Sequence, residues 1–93
     1  MRRRLLRSTA FVRAARRVVN KRPEAAEAIR ATLNALVEDA FQPKLRTHKL
    51  KGRLSGQLAC TAEYDLRIVF RLVQYEGEEA ILLETIGTHD EVY

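Results

Sequence analysis

An α+β fold, with a pair of amphipathic helices packed on a small antiparallel sheet, is what this sequence predicts, and three observations carry the prediction. Apolar residues recur at a helical period from Phe11 to Ala40. That period breaks at Phe41-Gln42-Pro43, where proline disfavours a helical conformation in the residue before it. Beyond the break lie three segments of strand length separated by turn residues, the last two rich in Ile, Val and Leu.

Taken in chain order, Leu5-Leu6 can add a strand at the edge of the sheet. Ser8-Thr9 supplies an N-cap. Phe11, Val12, Ala15, Val18 and Val19 then follow at helical spacing, interleaved with Arg13, Arg16, Arg17 and Lys21, which predicts a helix over 9–21. Pro23 suits a first helical position, and Glu24 and Glu27 suit the positive end of a helix dipole. Ala26, Ile29, Leu33, Leu36, Val37 and Ala40 line one face of a second helix over 23–40. The short Asn20-Lys21-Arg22 joint folds the two helices into a hairpin. Strands follow over 57–63, 67–75 and 79–86, with turns at Tyr64-Asp65 and Glu76-Gly77-Glu78, so the order is βααβββ. No repeat, low-complexity tract or linker interrupts the chain, and 1–93 is expected to be a single domain, since so short a chain buries only about two-thirds of its unfolded surface.

Seventeen Lys and Arg face 12 Asp and Glu, for a net charge of +5, but the excess is polarised. Residues 1–53 carry 15 basic and 4 acidic groups (+11), and residues 54–93 carry 2 basic and 8 acidic groups (−6). Such a field attracts polyanions, which makes RNA, DNA or a ribosome a candidate partner; the plainer reading is a solvated Arg-rich helix face. Cys60 is the only cysteine, so no intramolecular disulfide can form and a reducing compartment, the cytoplasm, is expected. The Arg-rich start lacks the apolar stretch of a signal peptide, and no run approaches the roughly 18 apolar residues of a membrane span. A secreted disulfide scaffold and a membrane protein are thereby set aside.

Metal-free RNA cleavage needs a base for the 2′-hydroxyl, an acid for the leaving 5′-oxygen, and cations for the charge that builds at phosphorus. Both histidines lie beside suitable groups. His48 opens the run His48-Lys49-Leu50-Lys51-Gly52-Arg53, and His89 follows Gly87-Thr88 and precedes Asp90-Glu91-Val92-Tyr93. Each candidate also has a plainer role: His48 as a surface loop residue, His89 as a cap or packing group, Asp65 as a turn residue, Cys60 as a small buried apolar residue. His48, Cys60, Asp65 and His89 lack the spacing of a metal site, so neither a metal nor any other cofactor is expected.

Three runs carry a resemblance: His48 to Gly52, Cys60 to Phe70, and Leu82 to Tyr93. Together they resemble the YafQ branch of the RelE/ParE toxin superfamily, and the similarity spans nearly the whole chain. Its most specific part is Gly87-Thr88-His89 with an aromatic, Tyr93, four residues on. The resemblance implies a RelE-like fold and a type II toxin, a ribosome-dependent endonuclease of mRNA that is neutralised by a cognate antitoxin. It also implies catalytic roles for His48, Asp65, His89 and Tyr93. Thr61, Leu66 and Thr85 depart from the branch, which has His, Trp and Arg there, so a proton carrier and a phosphate clamp are missing. Arg67 is expected to restore the lost charge, on the same face as Asp65 if the strand already begins there, with Lys49, Lys51 and Arg53 adding more phosphate contacts. The antitoxin should present an acidic, partly disordered segment to the basic helices and sheet. Two rivals share parts of this reading: a ParE-like inhibitor of DNA gyrase, and a nucleic-acid-binding module without chemistry.

Overall fold

Ser8 adopts extended backbone, and its hydroxyl accepts the Phe11 N–H, so the chain leaves a first strand, β1 (Arg4–Arg7), and turns at once into helix α1 (Thr9–Lys21). The computed structural model describes residues 2–93. Helix α2 (Ala25–Glu38) starts two residues later than the sequence suggests. Pro23 and Glu24 form the turn before it, and the Ala25 and Ala26 N–H groups donate to the Arg22 and Pro23 carbonyls. A 3-10 turn (Pro43–Leu45) leads to a two-residue strand, β2 (His48–Lys49), and a second 3-10 turn (Gly52–Leu54) leads to β3 (Leu58–Glu63). Strands β4 (Leu66–Tyr75) and β5 (Glu78–Gly87) form a long hairpin, and one helical turn, α3 (His89–Val92), follows.

The five strands lie in the order β1-β5-β4-β3-β2. All neighbours are antiparallel except β1 and β5, which are parallel. The antiparallel meander is as expected and β1 does take an edge, but it lies parallel to its neighbour, because the helices and the β2–β4 segment intervene before β5 comes alongside it in the same direction. Strand β2 was not anticipated, because two residues are too few to show an alternating pattern.

One sheet face packs on the helices. Cys60, Ile68, Phe70, Ile81, Leu83 and Ile86 meet Phe11, Ala14, Ile29 and Leu36 in the core. Burying a side chain such as Phe70 contributes about 1.5–3 kcal/mol. The buried stripes are rotated from those expected: Ala14 belongs to the core on α1, and on α2 Ala25, Thr32 and Ala35 are buried while Ala26, Leu33 and Val37 are only partly covered. Small residues reach the interface because the helices press closely on the sheet, and the Thr32 hydroxyl is satisfied by the Ala28 carbonyl at 2.7 Å.

On the other face, strand register decides which residues lie side by side. Thr61 pairs with Arg67, and Val69 pairs with Thr85. A bulge follows, since Phe70 pairs with Leu83 and leaves Glu84 as the extra residue, bonded through its carboxylate to Arg71 at 3.5 Å.

Candidate active site

A single helical turn has no stability of its own, so α3 holds its shape only through the contacts around it. Thr88 begins it with a capping box: its hydroxyl accepts the Glu91 N–H at 3.3 Å, and the Glu91 carboxylate accepts the Thr88 N–H at 2.7 Å. Asp65, in the β3–β4 turn, accepts the His89 N–H at 3.3 Å. Gly87 lies beneath: a Cβ there would come within 2.9 Å of Glu91 Oε1 and 3.3 Å of Val92 Cγ1.

His89 and Tyr93 are four residues apart and share one face of this turn. Their rings meet edge to face, with centroids 4.5 Å apart and planes at 85°. The Tyr93 ring also contacts His48 of β2 at 6.2 Å, and its hydroxyl lies 3.4 Å from His48 Nε2. Burial lifts the Tyr93 phenol above its ordinary pKa, an effect opposed by the Arg67 guanidinium nearby. The phenol therefore stays protonated at neutral pH.

The other ring nitrogen of His48, Nδ1, lies 3.1 Å from the Arg46 carbonyl. A carbonyl only accepts, so Nδ1 carries a proton, and in the neutral imidazole Nε2 then keeps the lone pair, a tautomer assigned from the hydrogen-bond pattern. Arg46 holds its carbonyl there from the left-handed region, with φ 52°, as it closes the first 3-10 turn. Between the β2 segment and Tyr93 lies a cavity of about 290 Å³, lined by His48, Lys49, Leu50, Lys51, Leu54 and Tyr93.

The structure thus brings His48, His89, Tyr93, Lys49 and Lys51 to one end of the sheet, with Asp65 bonded to the α3 turn. Arg53 is exposed on the second 3-10 turn and does not line the cavity. Arg67 is engaged: its Nη1 donates to the Glu63 and Tyr64 carbonyls at 3.0 Å, which fastens the β3–β4 turn. Strand β4 begins at Leu66, so Asp65 belongs to the turn and strand alternation does not relate it to Arg67. Cys60 is fully buried, and burial pushes its thiol up to about 12. Among the described residues, no three His, Cys, Asp or Glu side chains cluster as a metal site would require. Sequence reasoning missed the Arg46 carbonyl and the Thr88–Glu91 box. The second was visible as Thr-x-x-Glu; the first has no sequence signal.

A helical pair on a five-stranded sheet, closed by a short turn that carries a histidine and an aromatic, defines the RelE/YafQ-like class of folds. Solved structures bear this out. YafQ from Escherichia coli strain BL21(DE3) superposes with a TM-score of 0.78 at 16% identity, over 98% of each chain. In the E. coli DinJ-YafQ toxin-antitoxin complex the matched chain gives a TM-score of 0.76 at 17% identity, covering 100% of this chain and 99% of that one. The YoeB/ParE toxin from Agrobacterium tumefaciens gives 0.75 at 15% identity, covering 92% of this chain and 98% of that one. None of the curated proteins matches the chain in sequence. The family model described as the bacterial toxin of type II toxin-antitoxin system, YafQ, matches residues 3–93, and the chain belongs to that family.

Proposed function

We infer that this toxin is a metal-independent endoribonuclease that cuts mRNA on the ribosome, inhibits translation in the cytoplasm, and is silenced by a cognate antitoxin. The observation that carries the reading is the row His89–Tyr93–His48 at a cavity bordered by Lys49 and Lys51. Two imidazoles across one aromatic ring are an acid–base pair in search of a proton donor and a leaving group, and lysines are suited to hold a phosphodiester between them.

In the proposed reaction His48 Nε2, the unprotonated nitrogen, takes the proton of the 2′-hydroxyl. The 2′-oxygen attacks phosphorus, and the bond from phosphorus to the 5′-oxygen breaks. His89, as imidazolium, gives its proton to that oxygen. The products are a 2′,3′-cyclic phosphate and a free 5′-hydroxyl. Lys49 and Lys51, together with Arg53 and Arg67, offset the charge on the transition state. Asp65, bonded to the His89 N–H, orients the acid rather than serving as the base.

His89→Gln tests the reading. It keeps the shape of the side chain and removes the proton donor, so cleavage of message on ribosomes should fall about 10²- to 10⁴-fold while binding and the melting temperature hold. His48→Gln should act likewise. Wild-type-rate cleavage by stable His89→Gln would overturn the assignment. A supercoiling defect without RNA damage would favour a gyrase inhibitor instead.

A further inference from the structure

We propose that Glu91 is a positioning residue for the site: its hydrogen bond to the Thr88 N–H holds the α3 turn in the one arrangement that stacks His89 on Tyr93 and brings Tyr93 to His48. The proposal rests on the functional reading above for its effect on catalysis, and on geometry alone for its structural part.

Three observations converge on this side chain. Glu91 lies two residues from both His89 and Tyr93, so it projects from the side of α3 away from the face those two rings share. It touches neither ring; its carboxylate closes the capping box at 2.7 Å and lies over Gly87, where a Cβ would meet its Oε1 at 2.9 Å. Gly87 is in register with Arg67 of β4, so this contact ties α3 to the end of the sheet that holds the site. Third, Glu91 and Val92 line a cavity of about 250 Å³ against α1, together with Ala14, Arg17, Val18 and Lys21. The Thr88 bonds, chiefly that of its backbone N–H, and then the charges of Lys21 and Arg17 favour its ionised form.

The chemistry follows from the size of α3. Four residues cannot nucleate a helix, and beside the Glu91 carboxylate this one is held by the Thr88 hydroxyl on the Glu91 N–H, the Asp65 bond to the His89 N–H, the seating of Val92 and the contact of Tyr93 with His48. Without the Glu91 bond the Thr88 N–H has no partner, the first turn frays, and the His89 ring leaves the Tyr93 edge. Misplacement of a reacting group by about 1 Å can cost on the order of 10²-fold in rate.

The test compares Glu91→Ala with Glu91→Gln, whose amide oxygen can complete the same box. Glu91 is exposed, so neither substitution disturbs the core. The first readout is independent of activity: the imidazole proton resonances of His89 and His48, both displaced by the neighbouring Tyr93 ring in wild type. In Glu91→Ala they should move to the positions of a free histidine, and in Glu91→Gln they should remain. The second readout is cleavage, where Glu91→Ala should lose roughly 10²-fold in kcat with KM for programmed ribosomes unchanged, and Glu91→Gln should recover most of it. Retention of the His89 resonances in Glu91→Ala overturns the proposal, as does Glu91→Gln behaving like Glu91→Ala. If wild type cuts no RNA, the nuclease reading fails, while the resonances still decide the role of Glu91.

Discussion

At the scale of single residues, the surroundings decide which groups are chemically available. Cys60 and His48 differ in this respect, although their strands are adjacent. The Cys60 thiol faces the core and is held near 12 by burial, so almost no thiolate exists at neutral pH. Native protein should therefore resist iodoacetamide at pH 7–8 and be alkylated promptly in guanidinium, with mass spectrometry as the check. Rapid labelling of native protein would mean that the sheet opens far more readily than its packing implies. His48 is exposed, and the Arg46 carbonyl presets its tautomer, which leaves a lone pair directed at the site. His48 is a candidate from its neighbours in sequence; which of its ring nitrogens meets the Arg46 carbonyl is a property of the fold.

The element that matters most is the shortest. Helix α3 carries both His89 and Tyr93, and its docking depends on close approach at Gly87. Gly87→Ala should push the turn outward, cost about 1–3 kcal/mol as overpacking typically does, and lower cleavage more than the lost stability explains. Thermal melts set beside kcat would show this; unchanged kcat would mean that α3 can shift without loss. The pH response of the element has a definite sign. The Thr88 backbone N–H lowers the Glu91 pKa, the principal cause, so the carboxylate's contribution is present above the unfolded-state pKa and is lost as pH falls through the lowered, folded-state value. The His89–Tyr93 stack should therefore loosen on the acid side, visible in an NMR pH titration, and Glu91→Gln should abolish that acid limb.

For the whole molecule, charge pairing sharpens what composition shows only coarsely. Part of the basic first half is answered by carboxylates: Arg2 by Glu38, Arg3 by Glu79, Arg4 by Glu76, and Arg22 by Glu63. Lys49, Lys51 and Arg53 form no ion pair among the described residues, and neither do Arg13, Arg16, Arg17 and Lys21 of α1, so the uncompensated field covers the first helix as well as the cavity. RNA or ribosome binding should weaken steeply with salt through counterion release. Replacing Lys49 and Lys51 together by Ala should reduce the log–log salt slope by about 1.4, at roughly 0.7 per single-strand phosphate contact. Affinity indifferent to salt would overturn the electrostatic account.

The sequence by itself determined what depends on neighbours along the chain. Helix α1 matches its expected span because the Ser8 cap and apolar period are local, and the three long strands lie within a residue or so of their expected ends because Tyr64-Asp65 and Glu76-Gly77 are local turns. The motif around Gly87-Thr88-His89 was legible for the same reason. Tertiary structure alone decided the rest. The parallel docking of β1, the two-residue β2 and the burial of Ala14, Ala25, Thr32 and Ala35 depend on partners far away in sequence. Arg67 was expected as a phosphate contact, and the fold also spends part of its guanidinium on turn carbonyls. The meeting of His48 with Tyr93 spans 45 positions, a contact that no local pattern encodes, because it exists only once β2 has paired with β3 and α3 has docked on Gly87.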